Sequence, residues 1–257
     1  MINTIYKINY NSALIFTAIH SGDKLSPLCE KNMKLNAKTR RLEEDPYTEE
    51  MAKLHSNHII PQFSRFEIDL NRRRENAFYL VPDDCWGLDS RKQVPQPKQI
   101  SEAYQLYDNF YETTQKHLQK ISDKFGKFMI LDIHSYNHQR LGVDMPFDDP
   151  QKNPDVIIGT SNMPPKWQPF ILDLQAKMQE FKINGNPLDV RIDIKYPGGN
   201  FPRWVHRTFP ETGCAVALEF KKIYMNEWTG KVDYEVLDSL KRLIVFCKPL
   251  MMDYFGV

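Results

Sequence analysis

The chain has 257 residues, a length at which one hydrophobic core can still be buried, so it suits one large α/β domain better than two small ones. Its 34 basic and 33 acidic side chains leave a formal net charge of +1, which excludes the strong field that would select nucleic acid or an anionic membrane. We therefore expect a single domain over residues 1–257 whose partner is a small molecule.

Two further features of the sequence predict the compartment. Residues 1–10 carry Lys7 and only scattered apolar residues, unlike a signal peptide, and no later run approaches the ~20 apolar residues of a membrane helix. The four cysteines are far apart and form no paired spacing, so neither a disulfide framework nor a cysteine-rich zinc module is predicted. The sequence therefore predicts a cytoplasmic protein with reduced thiols.

Strands and helices are predicted to alternate along the chain. Apolar, β-branched runs indicate strands, and apolar residues spaced three and four apart indicate amphipathic helices. In chain order the pattern predicts strand 13–19, helix 100–125, strands 128–133 and 156–158, helix 167–181, strands 190–194 and 215–220, and helix 234–251. Ser101 can cap the first of these helices and Gly126 can end it. This order predicts an α/β fold with a mostly parallel mixed sheet and helices on both faces.

Polar residues stand at the carboxyl ends of three predicted strands, where such folds bind their ligands. His20 and His134 follow strands 13–19 and 128–133, and Glu219 lies near the end of strand 215–220. Two strand-terminal histidines and a carboxylate are the ingredients of an open zinc site, in which water takes the fourth position. The carboxylate would come from the acidic cluster Glu43, Glu44 and Asp45.

Two acids of this cluster are candidates for the third ligand. If a helix begins at Pro46, Asp45 is its N-cap and turns towards backbone N–H groups, which leaves Glu44 as the freer ligand. If Thr48 caps the helix instead, Asp45 is released for the metal. We rank Glu44 first and Asp45 second.

Other residues receive roles around this site. Alternation along a strand sends Asp132 and His134 to the same side, so Asp132 can orient the imidazole, as metal-binding histidines commonly require. Residues 82–97 are rich in turn formers and are predicted to be a surface loop at the rim of the site. His55, His58 and His117 are expected to be ordinary hydrogen-bonded or solvated histidines on helical patterns. His138 is expected to be a loop residue and not a fourth ligand.

Seven short motifs, in order, carry a family resemblance. They are HSG at 20–22, EEDPYT at 43–48, FEIDLNR at 66–72, DIHSYNH at 132–138, PDVIIGT at 154–160, YPGG at 196–199 and ALEF at 217–220. In order and content they resemble the N-formylglutamate amidohydrolase family, whose fold and active site are similar to those of the zinc carboxypeptidases.

The resemblance implies roles for single residues. One zinc ion per chain would be held by His20, His134 and an acid of the EEDPYT segment, and Glu219 would activate the water. Asn71 and Arg72 would bind substrate, with Arg72 facing a carboxylate or a developing oxyanion. The GG motif of the family implies a close backbone approach at Gly198 and Gly199. Apart from the resemblance, Arg203, Trp204 and His206 are predicted to line the substrate end of the pocket because they follow this motif.

The resemblance also implies the reaction. We expect a zinc-dependent hydrolase that cleaves the amide of an N-formyl or other small N-acyl amino acid, with N-formyl-L-glutamate as the reference substrate and formate and glutamate as products. A carboxypeptidase-like peptidase, a deacylase of other N-acyl amino acids and a noncatalytic metal-binding or ligand-binding relative are the alternatives.

Overall fold

The computed structural model describes residues 2–256, which contain nine strands and seven helices. The strands are β1 Thr4–Lys7, β2 Leu14–Thr17, β3 His58–Pro61, β4 Phe128–Tyr136, β5 Val156–Gly159, β6 Lys182–Ile183, β7 Asn186–Pro187, β8 Val190–Ile192 and β9 Gly213–Lys221. The helices are α1 Pro27–Asn32, α2 Ala37–Glu43, α3 Thr48–Ala52, α4 Pro97–Phe125, α5 Gln168–Gln179, α6 Asn200–Thr208 and α7 Tyr234–Phe255. Short 3-10 turns at Arg74–Asn76, Pro82–Asp84 and Pro165–Trp167 complete the regular structure of this range.

Seven strands form the central sheet, in the order β1-β3-β2-β4-β9-β5-β8. The four strands β3, β2, β4 and β9 run parallel to one another, whereas β1 and β5 are antiparallel to their neighbours β3 and β9. The final pair, β5 and β8, is parallel again. This confirms the predicted α/β fold with a mostly parallel mixed sheet.

Helices cover both faces of the sheet. All nine residues of β4 are buried, and since successive side chains of a strand point to opposite faces, both faces must be covered. The rings of Phe110 on α4 and Phe201 on α6 lie 5.5 Å apart, and those of Phe170 on α5 and Phe255 on α7 lie 5.2 Å apart. The helices therefore pack in pairs as well as against the sheet. No helix within residues 2–256 has the length and apolar character needed to cross a membrane.

Strand boundaries differ from the prediction at three places that matter for the site. β2 ends at Thr17 rather than at residue 19, so His20 lies three residues beyond the strand. β4 continues to Tyr136, because it stays paired with β9 through the register His134 to Glu219. His134 therefore lies inside a strand, not after it. β8 stops at Ile192 because Asp193, with φ 55°, leaves the extended conformation.

Two predicted helix starts are also wrong. α3 begins at Thr48 and not at Pro46, because Tyr47 adopts a left-handed conformation with φ 71° between them. α4 begins at Pro97, a residue suited to a first helical turn, so Ser101 lies inside the helix. The predicted end is confirmed, since Gly126 follows α4 with φ 75°.

Candidate metal centre

Three buried side chains from separate segments meet at the carboxyl ends of β2 and β4. His134 lies on β4, His20 follows the neighbouring parallel strand β2, and Asp45 lies between α2 and α3. The backbone N–H of Asp45 donates to the His20 carbonyl at 3.0 Å, which fixes this segment beside the sheet. Within residues 2–256, these three residues form a group whose possible ligand atoms all lie within 4.8 Å of one another.

The two imidazoles face Asp45 in the same way. The Nδ1 atoms of His134 and His20 lie 3.0 Å and 3.5 Å from Oδ2 of Asp45. Behind them, Nε2 of His134 contacts Asp132 at 2.8 Å and Nε2 of His20 contacts Asp69 at 2.8 Å. Each Nε2 can donate to the carboxylate behind it, and each Nδ1 is directed towards Asp45 in the shared space.

The two carboxylates behind the histidines are themselves firmly held. Asp132, on β4, accepts a hydrogen bond from Thr17 Oγ1 at 2.6 Å, and the predicted contact between Asp132 and His134 is present. Asp69 accepts from Arg65 at 2.8 Å and from the phenol of Tyr79. Burial opposes the ionisation of Asp69, but Arg65 and His20 outweigh it and hold its pKa well below the ordinary value. Each imidazole therefore contacts, through its Nε2 atom, a carboxylate whose position is fixed by other hydrogen bonds.

The acid beside the histidines is Asp45 and not the first-ranked candidate, Glu44. The backbone of Glu44 is extended, with φ −80° and ψ 163°, and its side chain turns away to accept a hydrogen bond from Ser64 and to lie 3.7 Å from Arg40. Burial raises the pKa of Glu44, whereas the histidine contacts outweigh burial and hold the pKa of Asp45 well below its ordinary value. Because α3 starts at Thr48, with Tyr47 at the N-cap position, the Asp45 carboxylate does not cap this helix.

Glu219 stands next to His134 in the sheet. The two residues are register partners on the parallel strands β9 and β4, and both line the same cavity. Burial raises the pKa of Glu219 to about 7. Neither neighbouring lysine pairs with it, since Lys221 contacts Asp155 at 2.6 Å and Lys222 donates to backbone carbonyls. A carboxyl with this pKa can accept and return a proton near neutral pH.

The cavity over these residues has a volume of about 210 Å³, below the ~300–1,000 Å³ of typical drug-sized pockets, so it suits a small ligand. Asn71, Gly198 and Gly199 line it as predicted. A Cβ at residue 199 would lie 2.4 Å from the carboxamide of Asn71, and Gly198 has φ 100°, so both glycines are required by the close packing of this wall.

Four other predicted residues do not line the cavity. The guanidinium of Arg72 lies over the ring of Tyr79 at 5.1 Å, and its Nε is 3.7 Å from Asp69. The three α6 residues make other contacts. Trp204 packs on Tyr111, His206 accepts a hydrogen bond from the backbone N–H of Ala215, and Arg203 donates to Ser161.

Several lining residues were not predicted individually. Arg65 and Arg140 supply the guanidinium groups of the cavity, with Tyr196, Lys222 and Trp86 beside them. Trp86 belongs to the predicted rim 82–97, and Arg65 lies 4.6 Å from its ring. Arg65 stands four residues before Asp69 in the segment RFEIDLNR, the one sequence signal that could have indicated it. Arg140 follows DIHSYNH in a loop whose sequence has no periodicity, and nothing in the pattern identifies it.

Comparison with known proteins places the chain in a described family. The model of the N-formylglutamate amidohydrolase family matches residues 12–225, a range that contains every residue of the centre. The fold is similar to that of an N-formylglutamate amidohydrolase from Ralstonia eutropha JMP134, with 14% identity, a TM-score of 0.75 and 100% of both chains covered. It is also similar to a gene product from Agrobacterium tumefaciens, with 15% identity, a TM-score of 0.66, and 99% of this chain and 96% of that chain covered. No curated protein sequence matches the chain.

Proposed function

The chain belongs to the N-formylglutamate amidohydrolase family, and we propose that it is a metal-dependent hydrolase that cleaves the amide of an N-formyl or other small N-acyl amino acid. The observation that carries this proposal is the convergence of His20, Asp45 and His134 beside Glu219 in one small cavity. N-formyl-L-glutamate is the reference substrate, with formate and glutamate as products.

The donor atoms suit one zinc ion per chain. Two imidazole nitrogens and one carboxylate oxygen are typical zinc ligands, and three protein ligands leave a position open, as catalytic zinc sites require. His20, His134 and Asp45 would hold the ion, while Asp69 and Asp132 would orient the two imidazoles. When bound there, the ion supplies Lewis-acid chemistry, polarising a carbonyl and lowering the pKa of water to about 7.

Glu219 performs the proton transfer in this proposal. Its carboxylate accepts the proton of the attacking water and donates it to the leaving nitrogen, a role usually worth about a hundred- to ten-thousandfold in rate. The raised pKa of Glu219, about 7, supports this role, because a catalytic base works best near the operating pH.

Arg65, Arg140 and Asn71 bind and orient the substrate in this proposal. All three line the cavity, and a guanidinium group can grip a carboxylate with two parallel hydrogen bonds. Arg140 already makes such a contact with Glu43, at 2.9 Å and 3.0 Å. A substrate with a free carboxylate matches these groups. Arg72 is left out, since its guanidinium stacks on Tyr79 instead of lining the cavity.

The test is formate release from N-formyl-L-glutamate by zinc-loaded protein, measured beside a chelated sample. N-acetyl and longer N-acyl amino acids and short peptides complete the substrate panel. We expect hydrolysis of an N-acyl amino acid that is lost on chelation and restored by zinc. A clear preference for peptides would reject the acyl amino acid assignment, and activity that survives chelation would reject the metal.

A further inference from the structure

The segment that carries Asp45 is held from behind by three side chains, which we call the carbonyl clamp: Asn137, Lys222 and Tyr224. The Lys222 ammonium donates to the carbonyls of Leu42 at 2.7 Å and Glu44 at 2.9 Å. Asn137 Nδ2 donates to the Leu42 carbonyl at 2.7 Å, and the Tyr224 hydroxyl donates to the Pro46 carbonyl at 2.8 Å. The backbone is thus held on both sides of Asp45.

Lys222 is the unusual member of the clamp because it is a charged side chain with only 1% exposure. Burying an ammonium group is costly unless its hydrogen bonds and its charge are satisfied. The Leu42 carbonyl is one of the last carbonyls of α2, which have no partner inside the helix, and a cation is favoured at that end. Lys222 therefore supplies a hydrogen-bond donor to a carbonyl that α2 leaves unpaired, and its positive charge lies near the carboxylates of Glu43 and Asp45.

The clamp shares its strands with the catalytic carboxyl and with one histidine. Lys222 follows β9, which carries Glu219, and Asn137 follows β4, which carries His134. Lys222 also lines the cavity. The carboxyl ends of β4 and β9 thus carry His134 and Glu219 themselves. The residues that follow these ends, Asn137 and Lys222, hold the backbone beside Asp45.

We propose that Lys222 is a positioning residue for the metal centre: by binding the carbonyls of Leu42 and Glu44 it holds the Asp45 carboxylate against His20 and His134. This inference rests on the metal centre of the proposed function. It adds a residue that acts through the backbone and not by contact with the metal or the substrate.

Lys221 provides a matched control one position away. Its Nζ contacts Asp155 at 2.6 Å and the Asn153 carbonyl at 3.1 Å, and neither of these groups touches the segment 42–46. Lys221→Met therefore removes a lysine and its ion pair from the same chain segment without touching the clamp.

The experiment measures zinc affinity by competition with a chromogenic chelator in the wild type, Lys222→Met, Lys221→Met, Asp45→Ala and the double variant Asp45→Ala/Lys222→Met. We expect Lys222→Met to weaken zinc binding about 10–100-fold, the usual cost of losing support behind a ligand. Lys221→Met should stay within about twofold of the wild type. Once Asp45 is absent, Lys222→Met should cost less than about twofold more, because its effect passes through that carboxylate.

Each contrary result has one meaning. Equal affinities in Lys222→Met and Lys221→Met would overturn the inference, and so would a full Lys222→Met effect in the Asp45→Ala background. If the wild type binds zinc no better than Asp45→Ala, the metal centre itself fails and the inference fails with it.

A second variant covers the case in which Lys222→Met does not fold. Lys222→Gln keeps an N–H donor and removes the charge, and Tyr224→Phe removes one hydroxyl from the same clamp. Thermal unfolding identifies which variants are folded. We expect both folded variants to bind zinc severalfold more weakly than Lys221→Met, and wild-type affinity in both would overturn the inference.

Discussion

The floor and the mouth of the cavity are built in opposite ways. On the floor, His20, His134 and Asp45 are at most 3% exposed, and each makes contacts with at least two other side chains. At the mouth, Trp86 is 41% exposed and Arg140 carries a partly exposed ion pair on a loop. His134 and Glu219 thus stand on strands of the sheet, and His20 and Asp45 lie on buried segments beside it. The groups that would meet the outer part of a substrate stand on loops at the mouth. This division is the usual one in enzymes, because a rigid scaffold can position loops that vary.

The difference predicts that substitutions in the floor are severe and those in the mouth are mild. Floor residues depend on one another through buried hydrogen bonds, so the loss of one partner leaves another unsatisfied. The ion pair of Arg140 with Glu43 is partly exposed, and exposed ion pairs typically contribute only about 0–1 kcal/mol.

The largest effect is expected from removing a histidine of the floor. His134→Ala deletes one of the three proposed ligands and removes the imidazole that contacts Asp132, so zinc should fall well below one ion per chain and hydrolysis should disappear. Metal analysis of the purified protein measures this. His117→Ala is the control, since His117, on α4, bonds to Tyr10 away from the centre, and its loss should leave the zinc content unchanged. Full zinc content in both His134→Ala and His20→Ala would remove them as ligands.

A large effect on rate alone is expected from Glu219→Gln. The amide keeps the shape of the side chain but cannot accept the proton, so kcat should fall about a hundred- to ten-thousandfold while zinc remains bound. Steady-state kinetics and metal analysis of the same sample separate the two quantities. A variant with normal kcat would show that Glu219 is not the proton acceptor.

An intermediate effect is expected from the carboxylate behind His20. Asp69→Asn removes the negative charge that orients this imidazole, and zinc affinity should fall about 10–100-fold. Glu44→Gln is the matched control, because Glu44 is equally buried but contacts Ser64 and Arg40 instead of the histidines. Competition with a chelator measures both, and equal losses in the two variants would contradict the placement of Asp45 as the ligand.

The smallest effect is expected at the mouth. Arg140→Ala should raise KM for a carboxylate substrate by about fivefold, the equivalent of roughly 1 kcal/mol for a partly exposed charge contact. The value of kcat and the zinc content should not change. A large fall in kcat would place Arg140 at the reacting atoms and so end the distinction between floor and mouth.

The same division explains what could be predicted from the sequence. His20, His134 and Glu219 follow or end apolar runs, and the periodicity of a strand is a local property that the sequence displays. The choice between Glu44 and Asp45 depends on the left-handed Tyr47 and on the contact of Tyr224 with Pro46, far away in the chain. No local pattern encodes such tertiary contacts.

The mouth was the least predictable part for the same reason. Arg140 lies in a loop, and its place in the cavity follows from the tertiary contact with Glu43. Arg65 likewise lies outside the strands and helices, where no periodicity separates a functional side chain from a solvated one. The motif FEIDLNR pointed to this region, but it suggested Arg72, which packs on Tyr79.

The pairing of β4 with β9 also has a kinetic consequence. These strands adjoin along their whole length, yet residues 137–212, which include β5 to β8 and the helices α5 and α6, separate them in the sequence. Contacts between distant segments form slowly, because the chain loses the entropy of closing a long loop before the contacts contribute any stabilising free energy. We therefore expect His134 and Glu219 to come together only after the long intervening segment has closed. Zinc added during refolding should accelerate recovery of activity little, since the chain must first find this pairing.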